Sequence, residues 1–153
     1  MNNKLNYPNW LVPLDIAQEL KAIGFDEPCH FHFLYYHGWE MLKKRGDEYG
    51  FITSNNCRAY VEENHNGIGN LSVPTWEQVF AWFRKQGYLY AIENEICYDF
   101  KTRTQPPKIK YTSYFETVGS GVKLHSCTSE SYEEAREELV KDLIYIYSEE
   151  LLE

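Results

Sequence analysis

No apolar run in this chain reaches the ~20 residues that a membrane-crossing helix needs. Met1-Asn2-Asn3-Lys4 also lacks the apolar core of a signal peptide. Both absences lead to the expectation of a cytoplasmic protein with reduced thiols and no membrane partner. Cysteine is sparse, at positions 29, 57, 97 and 127, and no two form the C-x-x-C pair of a zinc site or redox dithiol. Buried free thiols are the ordinary outcome of such spacing. Phosphate-cradling loops are missing as well. Gly67-Ile68-Gly69 and Gly119-Ser120-Gly121 lack the combined strand-before, helix-after context and the lysine of a nucleotide loop, so they read as turns. Positive charge is in deficit: the formal net charge is −8, with the acids concentrated in the last third. Such a field repels phosphate and disfavours nucleic acid and anionic membranes as partners.

Aromatic residues are plentiful. Thirteen Tyr, eight Phe and four Trp supply much of the apolar material, and 153 residues suffice for one domain that buries its own core. So many tyrosines cannot all be buried with satisfied hydroxyls, so some are expected at the surface, as part of a Tyr-rich sheet or of a binding face.

The most legible stretch is Ser72–Ile92. Thr75 is placed as an N-cap with Gln78 reaching back in a capping box, and Pro74 suits the helix entry. Trp76, Val79, Phe80 and Phe83 recur at i, i+3, i+4 and i+7 along one helical face. Glu77 near the start and Arg84 and Lys85 near the end suit the helix dipole. Gly87 supplies a left-handed stop, and Tyr88, Tyr90 and Ile92 alternate as a strand. An earlier helix, over 13–23, carries Ile16, Leu20 and Ile23 on one face and ends at Gly24. Residues 1–10 read as irregular. Cys29–Tyr36 reads as a strand and Phe51–Thr53 as its return. Arg58–Val61 is a possible short strand in the otherwise unpatterned region 54–72.

Beyond the central helix, Glu93-Asn94 reads as a bend. A strand over Glu95–Lys101 follows, with Ile96, Tyr98 and Phe100 inward. Ile109–Val118 and Val122–Cys127 are further strands, meeting at the Gly119–Gly121 turn. Ser131-x-x-Glu134 then opens a last helix over 131–148, its stripe formed by Ala135, Leu139, Leu143 and Ile146. The expectation is a single α+β domain, an antiparallel sheet with three helices, whose C-terminal half runs α-β-β-β-α. That order resembles the double-stranded-RNA-binding domain. The chemistry departs from it, because Glu133-Glu134-Ala135-Arg136-Glu137 stands where that family begins its last helix with phosphate-binding lysines. Shared layout alone licenses no shared function.

Leu20–Cys29 (LKAIGFDEPC), Pro74-Thr75 with Trp82-Phe83-Arg84, and Tyr132-Glu133-Glu134-Ala135 resemble a family of small uncharacterised proteins of phages and mobile elements in gut Bacteroidetes. The resemblance covers most of the chain. It implies an origin rather than a mechanism, and carries over no cofactor and no catalytic residue.

Five constellations are candidates for chemistry or binding. His30 and His32 share a strand face by period two, a spacing that can set two imidazoles on one metal, with His37, His65 or Cys57 completing the set. The plain alternative is a pair of half-exposed histidines with Cys29 buried behind them. His125 and Cys127 share a strand face by the same rule. A Cys–His nucleophile lacks any flanking feature that would activate the thiol. Lys101, Arg103, Lys108 and Lys110, near Tyr98, Tyr111 and Tyr114, have the composition of a single-strand nucleic-acid grip, or of a hairpin tip with edge-protecting lysines. Trp39 and Trp82 are the candidate anchors for a protein partner. Trp39 follows a strand in polar surroundings, and Trp82 lies off the stripe of its helix. The balance favours a non-enzymatic protein-binding module without a cofactor over a small metal-binding or Cys/His enzyme.

Overall fold

The computed structural model describes residues 8–35, 50–54, 70–98 and 106–152, which belong to two compact units, Met1–Trp82 and Phe83–Glu153. Among the described residues there are three helices and two three-stranded antiparallel sheets, an α+β fold. The strands thus divide between two sheets, where the sequence pattern groups them in one. None of the described helices is long and apolar enough to cross a membrane.

In the first unit α1 (Leu14–Ala22) is followed by β1 (Phe31–Tyr35), β2 (Gly50–Ser54) and β3 (Asn70–Val73), with sheet order β2-β1-β3. Ile16, Ala17 and Leu20 of α1 are buried, and the helix packs on β3. Its end is a Schellman turn. Gly24 takes φ +89°, its N–H donates to Lys21 O, and the Phe25 N–H reaches Leu20 O at 2.9 Å. β3 pairs with β1 through Phe31↔Val73 and Phe33↔Leu71, burying Phe33, Leu71 and Val73. No alternating signal announces this strand, which lies in the stretch that gives no clear pattern. The short strand expected at Arg58–Val61 falls outside the described residues.

α2 (Trp76–Lys85) has the expected capping box. Thr75 Oγ1 accepts from the Gln78 N–H at 3.3 Å, and Gln78 Oε1 accepts from the Thr75 N–H at 2.9 Å. Trp76, Val79, Phe80 and Phe83 are all buried, as the period requires.

The second unit continues with β4 (Tyr88–Cys97), β5 (Lys108–Thr117), β6 (Leu124–Ser129) and α3 (Tyr132–Glu150), completing the α-β-β-β-α order that starts at α2. The sheet order is β4-β5-β6, and α3 packs across all three strands. Ala135, Leu139, Val140, Leu143 and Ile144 form its buried stripe, facing a sheet side that buries Tyr88, Ser113 and Phe115. Ser131 caps the helix by accepting from the Glu134 N–H, while the Glu134 carboxylate takes a hydrogen bond from Ser129 instead of closing the capping box.

Two local features depart from the sequence pattern. Glu93-Asn94 is no bend: β4 runs unbroken, with Glu93 opposite Thr112 and Asn94 opposite Tyr111. Ile96 and Tyr98 do not point into a core but are 56% and 60% exposed.

Candidate functional site

Period two along each strand gives the second sheet two unlike faces. One is the side covered by α3. The other carries Leu89, Ala91, Glu93 and Glu95 from β4, opposite Glu116, Tyr114, Thr112 and Lys110 from β5. Within the second unit, α3 lies on the first side and leaves this face uncovered.

β6 joins it through an irregularity. Thr112 pairs with Thr128 and Tyr114 with His125, so Ser126 and Cys127 together stand against Ser113. This is a β-bulge, and it reverses the alternation within β6. Ser126 therefore turns to the helix side, where its hydroxyl donates to Asp142 of α3 at 2.6 Å. Cys127 lies near the same helix. Desolvation raises its pKa first, and Glu134, Glu138 and Asp142 push it further the same way. Plain alternation predicts that His125 and Cys127 share a face, and the bulge separates them. The bulge sets His125 beside Thr128 instead, its Nε2 2.8 Å from Thr128 Oγ1.

The fully buried Ser113 hydroxyl holds the bulge together: it accepts from the Cys127 N–H at 3.1 Å and donates to Cys127 O at 3.4 Å. Ser113→Ala strips both partners from a covered backbone unit. It is expected to cost about 1–3 kcal/mol, measured by urea denaturation. A change below about 0.5 kcal/mol, the range of an uninvolved surface substitution, would show that the bulge does not depend on this hydroxyl.

On the open face, Tyr114 occupies the middle strand. Its ring meets the His125 ring edge-on at 5.8 Å, and the Lys123 ammonium lies 4.0 Å from its centroid. Lys123 also contacts Glu93 at 2.5 Å, and Lys110 contacts Glu95 at 3.5 Å. Concavities lie on either side of Tyr114. One, of about 420 Å³, is bounded by Leu89, Ala91, Tyr114, Glu116 and Lys123. The other, of about 380 Å³, is bounded by Glu93, Glu95, Thr112, Tyr114, His125 and Thr128 among others.

The residues singled out from sequence fall elsewhere. Trp82 is 2% exposed, with its indole N–H donating to Asp26 Oδ1 at 3.3 Å and its ring 5.6 Å from Phe25. It is a core residue and no surface anchor. A chain segment following α1 covers a helix face that the main stripe leaves out. Trp39 lies outside the described residues, as do Lys101, Arg103, His37, His65 and Cys57.

Lys108 and Lys110 lie on β5, paired to Glu130 at 2.9 Å and Glu95 at 3.5 Å. Each therefore sits beside a carboxylate, which lowers its value to a phosphate. His30 precedes β1 and is exposed, whereas His32 lies within β1 and is buried, so the two imidazoles do not share an environment. Among the described residues no three His, Cys, Asp or Glu side chains gather as metal ligands. Cys29 is buried beside Glu27 O, and desolvation pushes its thiol up to about 12, so it stays protonated and unreactive at neutral pH.

Comparison with protein-family models, with curated proteins and with solved structures finds no match. The open face has no sequence signature of its own. Tyr114, Lys123, Glu93 and His125 come from three strands and a turn, and only the register between those strands brings them together.

Proposed function

We propose that the chain is a non-enzymatic binding domain that presents the open face of β4–β6 to a protein partner. The observation that carries this reading is Tyr114, an aromatic side chain central on the sheet face that α3 leaves uncovered, between two concavities and flanked by the Lys123–Glu93 and Lys110–Glu95 ion pairs. Protein interfaces concentrate their energy in such tyrosines, while surrounding polar groups exclude water. The phage-type resemblance fits a partner from a host cell, and a cytoplasmic setting fits the free thiols of Cys29, Cys97 and Cys127.

The test is a comparative capture from host lysate with wild type and Tyr114→Ala, both checked for an unchanged melting curve. A specific partner retained by wild type should be held about 30-fold more weakly by the variant, the effect of losing a central interface tyrosine. Equal retention by both would remove the open face from the reading. A stoichiometric metal in the purified protein would favour the rival, a metal-binding or Cys/His enzyme.

A further inference from the structure

Lys123 leaves the Gly119-Ser120-Gly121 turn and places its ammonium where two separate attractions converge. The face of Tyr114 lies 4.0 Å below it and a Glu93 oxygen 2.5 Å away. A ring quadrupole and a carboxylate aimed at one cation make a receptor for an ammonium group. The hydrogen bond to Glu93 raises the lysine pKa first, with Glu116 adding in the same sense. His125 meets the tyrosine ring edge-on and is itself tied to Thr128, which fixes the ring in place.

The lysine that fills this receptor is not locked there. Its side chain is 46% exposed, and it follows a turn with Gly119 and Gly121 at positive φ, flanked by exposed Val118 and Val122. Rotating it away costs only surface contacts. It lines the concavity beside Leu89 and Ala91; Tyr114 is common to both concavities, which follow one another along β4 as a single shallow groove. From Leu89 to Glu95 that groove follows β4 for about 20 Å, the length of six residues of extended chain.

We infer, building on the binding reading above, that the partner segment is an extended basic peptide whose lysine displaces Lys123 between Tyr114 and Glu93. An apolar side chain of the same peptide then lies over Leu89 and Ala91. Lys123 is an internal competitor, a stand-in for the ligand. The −8 net charge of the chain draws such a peptide in, and Glu95 and Glu116 extend the acidic lining to either side of the receptor.

The experiment titrates the full chain by calorimetry with a nine-residue peptide alternating lysine and valine, and with the same peptide acetylated at every lysine. Lys123→Ala should bind the basic peptide about two- to tenfold more tightly than wild type, because the competitor is gone. Lys123→Gln, which keeps the stem, should do the same. Tyr114→Ala and Glu93→Gln should weaken binding, and the acetylated peptide should bind none of the proteins. Lys141→Ala makes the same change in net charge on α3, away from this face, and should match wild type. The inference is overturned if the Lys123 variants bind no more tightly than wild type or Lys141→Ala, or if acetylation leaves affinity unchanged. Should Tyr114 still govern capture of a lysate partner in that event, the open-face reading stands and only the partner's chemistry falls.

Discussion

Trp82→Ala is expected to lower the stability of the fold by about 3–5 kcal/mol, the range for deleting a fully packed tryptophan. The side chain is almost wholly buried and meets Phe25 at an interplanar angle of 55°. Its indole N–H donates to Asp26, so alanine opens a large cavity and also leaves that carboxylate without its donor. Phe25 follows the Schellman turn of α1, so amide exchange should accelerate there first, at Gly24, Phe25 and the last turn of the helix. Trp82→Phe keeps most of the ring volume and should cost less. Chemical denaturation with site-resolved exchange measures all of this. A Trp82→Ala protein within about 1 kcal/mol of wild type, having lost partner binding, would reinstate the surface-anchor role and refute the core assignment.

Legibility from sequence follows the range of the interaction that decides each feature. The signals of α2 are local: a cap and its partner three residues on, a 3.6-residue stripe and a glycine stop. Its ends are accordingly legible to within one residue. The capping serine and apolar stripe of α3 are local too. Glu93-Asn94 misleads because two adjacent polar residues in exposed strand positions look like a bend. What keeps the strand straight is its pairing with Thr112 and Tyr111.

The bulge in β6 is decided by Ser113, a hydroxyl fourteen residues away in the chain and on another strand. No pattern within Leu124–Ser129 records it, so the parity of His125 and Cys127 is wrong by plain alternation. Trp82 fails for a related reason. Helical periodicity marks one buried face, and a segment distant in sequence, around Phe25 and Asp26, buries a second. The division of the strands between two sheets is likewise a matter of pairing partners, which composition does not encode. Tyr114 was legible only as one tyrosine near a basic cluster. Its partnership with Lys123 and Glu93 needs the register of three strands.

Phe83→Ala is expected to destabilise the second unit by a similar amount, about 3–5 kcal/mol. The ring is completely buried and meets Tyr88 edge-on at 6.0 Å and Tyr147 at 6.3 Å, while those two tyrosines meet each other at 6.2 Å. This trio joins the end of α2, the first residue of β4 and the last turns of α3. Two hydroxyls extend it, Tyr88 donating to Glu150 and Tyr147 to Gln86. Removing the central ring takes packing from both tyrosines at once, so the last turns of α3 should lose exchange protection before its middle does. Tyr88→Phe is the informative contrast. It keeps the ring and gives up only a hydrogen bond to an exposed carboxylate, for an expected cost of about 0.5–1.5 kcal/mol. Were the two substitutions equal in cost, the hydroxyl and not the packed trio would be what fastens α3 to β4. The larger loss from Phe83→Ala follows because burial of apolar surface scales with the area removed, whereas the exposed Glu150 carboxylate takes a water in place of the lost hydroxyl.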